Sequence, residues 1–164
     1  MIDMGKIETS QELFEARCRK HIASFYEHNE GVNKMMKLDF VECSAEEMKL
    51  VMRHVPDHGE ANPLGTIHGG ITAWLLDTAM GMVNYCYIGE GATPTVSMSI
   101  NYIEAIKEGD EVLLISRIDR IGGNIIDCQA EAVVDGRIKA RSIGTSYRLH
   151  LPKLEDELFS GTNP

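Results

Sequence analysis

The chain has 164 residues, a formal net charge of −9 at pH 7, 43% hydrophobic and 25% charged residues. That length gives one domain, residues 1–164, with a core of its own. The acidic balance excludes a nucleic-acid binder, which would need cations to neutralise phosphates, and no apolar run escapes interruption for long enough to span a bilayer.

The first predicted element is a helix over residues 10–29, capped by Thr9 or Ser10 and ended by Asn29-Glu30-Gly31. Its apolar stripe (Leu13, Ala16, His21 through Phe25) is modest, which predicts a surface helix packed across a sheet, with His21 and His28 solvated. Before it, Met1 to Glu8 lacks the basic start and apolar stretch of a signal peptide. Two alternating strands follow, Met35 to Cys43 and Met48 to Val55, joined by the polar turn Ser44-Ala-Glu-Glu47. His54 and His58 stand four apart, a spacing that holds metal on a helix. Here it straddles a strand end and a proline turn with no third ligand, so no metal site is expected.

Next comes the stretch on which the chain is organised, Asn62-Pro-Leu-Gly-Thr-Ile-His68-Gly69-Gly70. Its turn formers lead into a helix from Ile71 to Tyr87 that stops near Gly89. Ala73, Trp74, Leu76, Ala79, Met80, Val83, Tyr85 and Tyr87 leave no polar face, so burial on nearly all sides is expected. Asp77 is the only formally charged residue between Ala61 and Gly89. A carboxylate on such a helix is costly unless hydrogen-bonded or functional. The free N–H groups at the start of the helix, around Gly69 and Gly70, form an anion site.

Four strands complete the reading. Thr95 to Tyr102 alternates strictly, with Val96, Met98, Ile100 and Tyr102 on one face and Thr95, Ser97, Ser99 and Asn101 on the other. Val112 to Ile121 is apolar on parts of both faces. Gly122-Gly123 and Asp135-Gly136 signal hairpins, so this strand, the next and Arg137 to Leu149 form an antiparallel meander. The tail, 153–164, carries an acidic patch and reads as loosely attached. The predicted fold is α+β, a curved antiparallel sheet wrapped around one long helix, with the core over about residues 35–149 and the extra helix before it. The two-sided apolarity of Val112 to Ile121 predicts that a second copy covers part of the sheet. Cys18, Cys43, Cys86 and Cys128 form no C-x-x-C pair and read as buried, reduced thiols of a cytoplasmic protein.

The run Asn62-x5-His68-Gly69-Gly70-x6-Asp77, with the strand ending Ile100-Asn-Tyr102 and then Gly109-Asp110, resembles the PaaI-like hotdog-fold acyl-CoA thioesterases over roughly Met48 to Leu149. The resemblance implies a homodimer or homotetramer with active sites at the dimer interface. It implies that Gly69 offers its N–H to the thioester carbonyl and that Asp77 of the other subunit promotes attack on it. Asn62 then helps hold the thioester or the water, Thr95 places the water with Ser97 as runner-up on the same face, and His68 orders the loop. Gly70 belongs to the substrate-binding turn. Arg137, Lys139 and Arg141, alternating on one strand face, are the candidate phosphate contacts for coenzyme A. No cofactor is expected, since coenzyme A enters as part of the substrate.

That chemistry needs these residue types. Thioester hydrolysis builds charge on the carbonyl oxygen, which helix N–H donors stabilise. Water is a weak nucleophile, so a carboxylate must take its proton or attack directly, and both routes stay open. No serine lies in a G-x-S-x-G context. Each residue alone has a plainer role: a tight turn for Gly69-Gly70 and Asn62, a hydrogen-bonded structural acid for Asp77, a loop histidine for His68, a solvated edge for the basic strip. A non-catalytic module that binds an acyl thioester is the alternative, and a dehydratase would need a histidine–acid pattern that the chain lacks.

Overall fold

The structure, a computed structural model, describes residues 9–27, 33 and 35–149. The expected end of the first helix at Asn29, the solvated His28 and the tail 153–164 lie outside the described residues. The elements are α1 (Gln11–Glu27), β1 (Asp39–Ser44), β2 (Lys49–His54), α2 (Gly69–Ile88), β3 (Thr95–Tyr102), β4 (Val112–Gly122), β5 (Ile125–Val134) and β6 (Arg137–Tyr147). A single 3-10 turn, His58–Glu60, lies between β2 and α2. The strands form one antiparallel six-stranded sheet in the order β1-β2-β4-β5-β6-β3. This is the hotdog arrangement, α+β, with α2 packed on the concave face of the sheet.

The core sits between α2 and the sheet, where Leu75, Leu76, Ala79, Met80 and Val83 meet Leu50, Met52, Leu114, Ile118 and Ile126. Each fully buried aliphatic side chain there contributes about 1.5–3 kcal/mol. The second hairpin follows the sequence signal closely, because Asp135 (φ 50) and Gly136 (φ 71) both take the left-handed conformation that a two-residue turn requires. The first is displaced by one residue: Gly122 still pairs with Ile125, so Gly123 and Asn124 make the turn.

Three expectations change. The first strand begins at Asp39, because Met36 and Leu38 turn inward and are buried (0% and 7% exposed) rather than pairing. α1 packs on the sheet as expected, and on α2 as well, through Phe14, Cys18 and Ile22, with Phe14 edge-on to Tyr87 at 5.4 Å. His21 is not solvated: its ring meets Tyr85 edge-on at 4.7 Å. Nor is α2 buried on nearly all sides. Trp74, Asp77, Thr78, Gly81 and Tyr85, spaced at the helical repeat, form a half-buried stripe that one copy of the chain leaves partly open.

Candidate active site

α2 starts two residues earlier than its turn formers suggest. His68 is the N-cap, and its imidazole Nδ1 accepts the Gly70 N–H at 2.9 Å. The His68 carbonyl accepts the N–H groups of Ile71 (2.9 Å) and Thr72 (3.1 Å). That leaves the Gly69 N–H as the first-turn donor with no acceptor among the described residues. Tyr102, at the end of β3, donates its hydroxyl to the Gly69 carbonyl at 2.9 Å and lays its ring beside the glycine. Gly69, Thr72, Tyr102 and the segment Ile103 to Ile106 line a cleft of about 300 Å³. Gly70 is exposed in the same turn, but its N–H is already taken by His68.

Asn62 shapes the loop that delivers His68. Its Oδ1 accepts from the N–H groups of Leu64 (2.9 Å) and Thr66 (3.3 Å), while its Nδ2 donates to the Thr66 hydroxyl (3.0 Å). Most of its hydrogen-bonding capacity is therefore spent on its own turn.

Asp77 opens onto a different cleft, of about 400 Å³, walled by His21 and Phe25 of α1, by Trp74 and Tyr85 of α2, and by Thr95. The Thr95 hydroxyl donates to Asp77 Oδ1 at 2.8 Å, and Oδ2 has no hydrogen-bond partner among the described residues. A β-bulge makes this contact. Thr95 pairs with Ser146 but Ser97 pairs with Thr145, so two residues advance on β3 for one on β6. Opposed residues share a face. Thr95 therefore points with buried Ser146 toward α2, and Ser97 points outward with Thr145. The expected strict alternation fails at Val96, and Ser97 does not share the face of Thr95. Ser97 is thus removed from the Asp77 cleft.

Gly69 and Asp77 cannot serve one carbonyl from within one chain. They are eight residues apart on a single helix, about 12 Å along the axis at the helical rise, and they line separate clefts. The basic strip lies near the Gly69 cleft but is not free. Lys139 (2.7 Å) and Arg137 both pair with Glu104, and Arg141 pairs with Glu131 at 2.7 Å. The Lys139 hydrogen bond, ahead of the Arg137 charge, holds the Glu104 carboxyl below its ordinary range.

The two histidines spaced four apart diverge. His58 is exposed and pairs with Glu108 at 3.2 Å, whereas His54 is buried against Glu60 at 2.9 Å. Among the described residues, no group of three or more His, Cys, Asp or Glu side chains is placed to hold a metal ion. The four cysteines are free thiols. Burial pushes Cys43 up to about 11 and also raises Cys128, while the Cys86 hydrogen bond and then burial raise Cys18. These thiols are poorly suited to be nucleophiles. Sequence reasoning gave no role to the Tyr102 hydroxyl and none to Glu60. Asp57-x-x-Glu60 is a capping-box pattern, and the box forms, but the pattern carries no sign that Glu60 is 4% exposed.

Residues 64–140 match the family model described as thioesterase superfamily. Acyl-coenzyme A thioesterase 13 of Mus musculus is 33% identical over 79 residues, which cover 48% of this chain and 56% of that protein. The E. coli PaaI protein from the phenylacetic acid degradation operon superposes with a TM-score of 0.71 at 19% identity, covering 83% of this chain and 96% of that one. The smu.793 protein of Streptococcus mutans UA159, solved bound to acetyl CoA, superposes with a TM-score of 0.64 at 21% identity, covering 71% and 91%. The chain thus has the hotdog fold, and its segment from the turn before α2 into β6 is similar to the thioesterase superfamily. The resemblance carried by Asn62, His68-Gly69-Gly70 and Asp77 is to PaaI and its relatives.

Proposed function

We propose that this protein hydrolyses acyl-CoA thioesters at sites built between two copies of the chain. The Gly69 N–H of one copy holds the carbonyl oxygen, and Asp77 of the other takes the proton of a water whose oxygen bonds to the carbonyl carbon. The C–S bond then breaks, and the proton passes to the departing coenzyme A sulfur. Thr95 fixes Oδ1 of the carboxylate, which leaves Oδ2 toward the water. Asn62 and His68 hold the loop that presents Gly69, and Arg137, Lys139 and Arg141 contact the coenzyme A phosphates by exchanging their carboxylate partners. The observation that carries this reading is the Thr95–Asp77 contact in an open, partly apolar cleft, a helical span away from a free N-terminal donor. The acetyl CoA bound to the S. mutans protein and the name of the mouse relative support a CoA thioester as substrate. A cytoplasmic setting is part of the proposal and rests on the free thiols.

A panel of acyl-CoA substrates followed by free-thiol release tests the activity. Asp77→Asn is the decisive variant, because the amide keeps the shape and cannot take a proton. Turnover should fall at least ~10²-fold with the melting temperature nearly unchanged. Binding of acyl-CoA with no thiol release by the parent would instead make the protein a thioester-binding module.

A further inference from the structure

Apart from the candidate site, the most enclosed ionisable pair in the described fold is His54 with Glu60, whose side chains are 2% and 5% exposed. His54 ends β2, and its Nδ1 lies 3.0 Å from the Lys37 carbonyl. A carbonyl only accepts, so Nδ1 carries a proton. Nε2 lies 2.9 Å from Glu60 Oε2, and one further proton must sit between them. Whether imidazolium donates to carboxylate or a protonated carboxyl donates to imidazole, the pair is neutral overall. Glu60 Oε1 accepts the Asp57 N–H, so the carboxyl is engaged on both oxygens.

The backbone of the same residue reaches the candidate site. The Glu60 carbonyl accepts the His68 N–H at 2.9 Å, and Ala61 bridges Ile67 beside it. His68 is in turn the cap of α2 and the residue before Gly69. We infer that the buried His54–Glu60 pair is a latch that positions the Gly69 N–H, by fixing the leg of the loop on which His68 hangs. Both are positioning residues and touch no substrate. The inference rests on the reading of Gly69 as the carbonyl donor. A displacement of about 1 Å at such a donor is enough to cost up to 10²-fold in rate.

The test keeps packing and removes the latch. In His54→Phe with Glu60→Leu, a neutral buried pair becomes apolar groups of similar size, a change that folds tolerate. Glu60→Ala is the second disrupting variant, and either one carries the test should the other not fold. Glu60→Gln is the rescue, because its amide oxygen accepts the Asp57 N–H and its NH₂ donates to His54 Nε2. The disrupted variants should lose at least about tenfold in kcat with KM changed by less than about twofold, while Glu60→Gln stays within about threefold of the parent. Amide exchange at His68 should quicken in the disrupted variants and not in Glu60→Gln, a readout independent of activity. If the parent hydrolyses no acyl-CoA, the thioesterase reading fails, and the exchange measurement alone decides the latch. A folded disrupted variant with parental kcat, or with parental exchange at His68, overturns the inference.

Discussion

The two clefts along α2 are built by different means. The Gly69 side is made by backbone: a histidine cap, two glycines in the first turn and a carbonyl held by Tyr102. The Asp77 side is made by side chains brought from α1, mid-helix and a bulged strand. A backbone donor is supplied by the local turn, and its neighbours only adjust where it points. A side-chain acid depends on what long-range packing puts beside it. In the proposed reaction the two halves do unequal work, one stabilising charge and the other moving a proton, and they should fail in different ways.

The largest expected effect isolates the backbone half. Gly69 is the first helical residue, where proline is well tolerated and its missing N–H was unpaired in any case. His68, at φ −59 and ψ 134, already has the extended geometry that precedes proline. Gly69→Pro should therefore fold and lose about 10²–10³-fold in turnover, the value of one oxyanion donor. Gly69→Ala keeps the N–H, and its Cβ would sit in ordinary contact, 3.5 Å from the Tyr102 ring, so it should remain active. Equal activity in the proline and alanine variants would remove the Gly69 N–H from the reaction.

Mixing the two lesions asks whether the halves come from different chains. Gly69→Pro and Asp77→Asn subunits, refolded together, form mixed dimers in which one site carries both lesions and the other neither. Random pairing should return about a quarter of parental turnover. Recovery absent from a mixture proven to contain mixed dimers would mean that each chain builds its site alone.

How much of this was legible in the sequence follows the same division. His68-Gly69-Gly70 and the Gly89 stop are local features, and α2 ends where Gly89, at φ 80, donates its N–H to Tyr85. The succession of strands along the chain and the second hairpin were also readable, because their signals are periodicity and turn chemistry. The first turn, in contrast, falls one residue later than its glycine pair, and the pairing of β3 with β6 left no local signal. The bulge at Val96 was not readable, since alternation continues through it and only the pairing with β6 reveals the extra residue. The walls of the Asp77 cleft were also hidden. His21 and Phe25 lie on a weakly amphipathic helix whose docking depends on Phe14 and Cys18 finding α2. The enclosure of Glu60 was hidden as well, because burial belongs to the tertiary structure.

The bulge supplies a smaller, sharper contrast. Thr95→Val keeps the shape and removes the hydroxyl that holds Asp77. Turnover should fall about tenfold, the value of a hydrogen bond to a charged group. Ser97→Ala, one residue past the bulge and facing outward, should stay within about twofold of the parent. A greater loss at Ser97 than at Thr95 would restore strict alternation and contradict the observed register.

The smallest effect tests whether α1 closes the Asp77 cleft as tightly as its contacts indicate. Burial, ahead of the neighbouring charges of Lys20 and Arg17, holds His21 below its ordinary range. A depressed histidine binds its proton less readily in the folded chain than in the unfolded one. Its contribution to stability is thus fully present above the unfolded value of about 6.5, and it is lost as pH falls through the folded value. Acidification should lower the melting temperature, and His21→Asn, neutral throughout, should flatten that slope. The ring is only half buried, so solvent screens the charge and the difference should be about 2 °C or less. It is best read as a difference between two melting curves over pH 7 to about 5, either side of the ordinary histidine value. Identical slopes in parent and variant would place His21 in solvent and α1 away from the cleft. A flatter slope in the variant would fix α1 as a wall of the cleft beside Asp77.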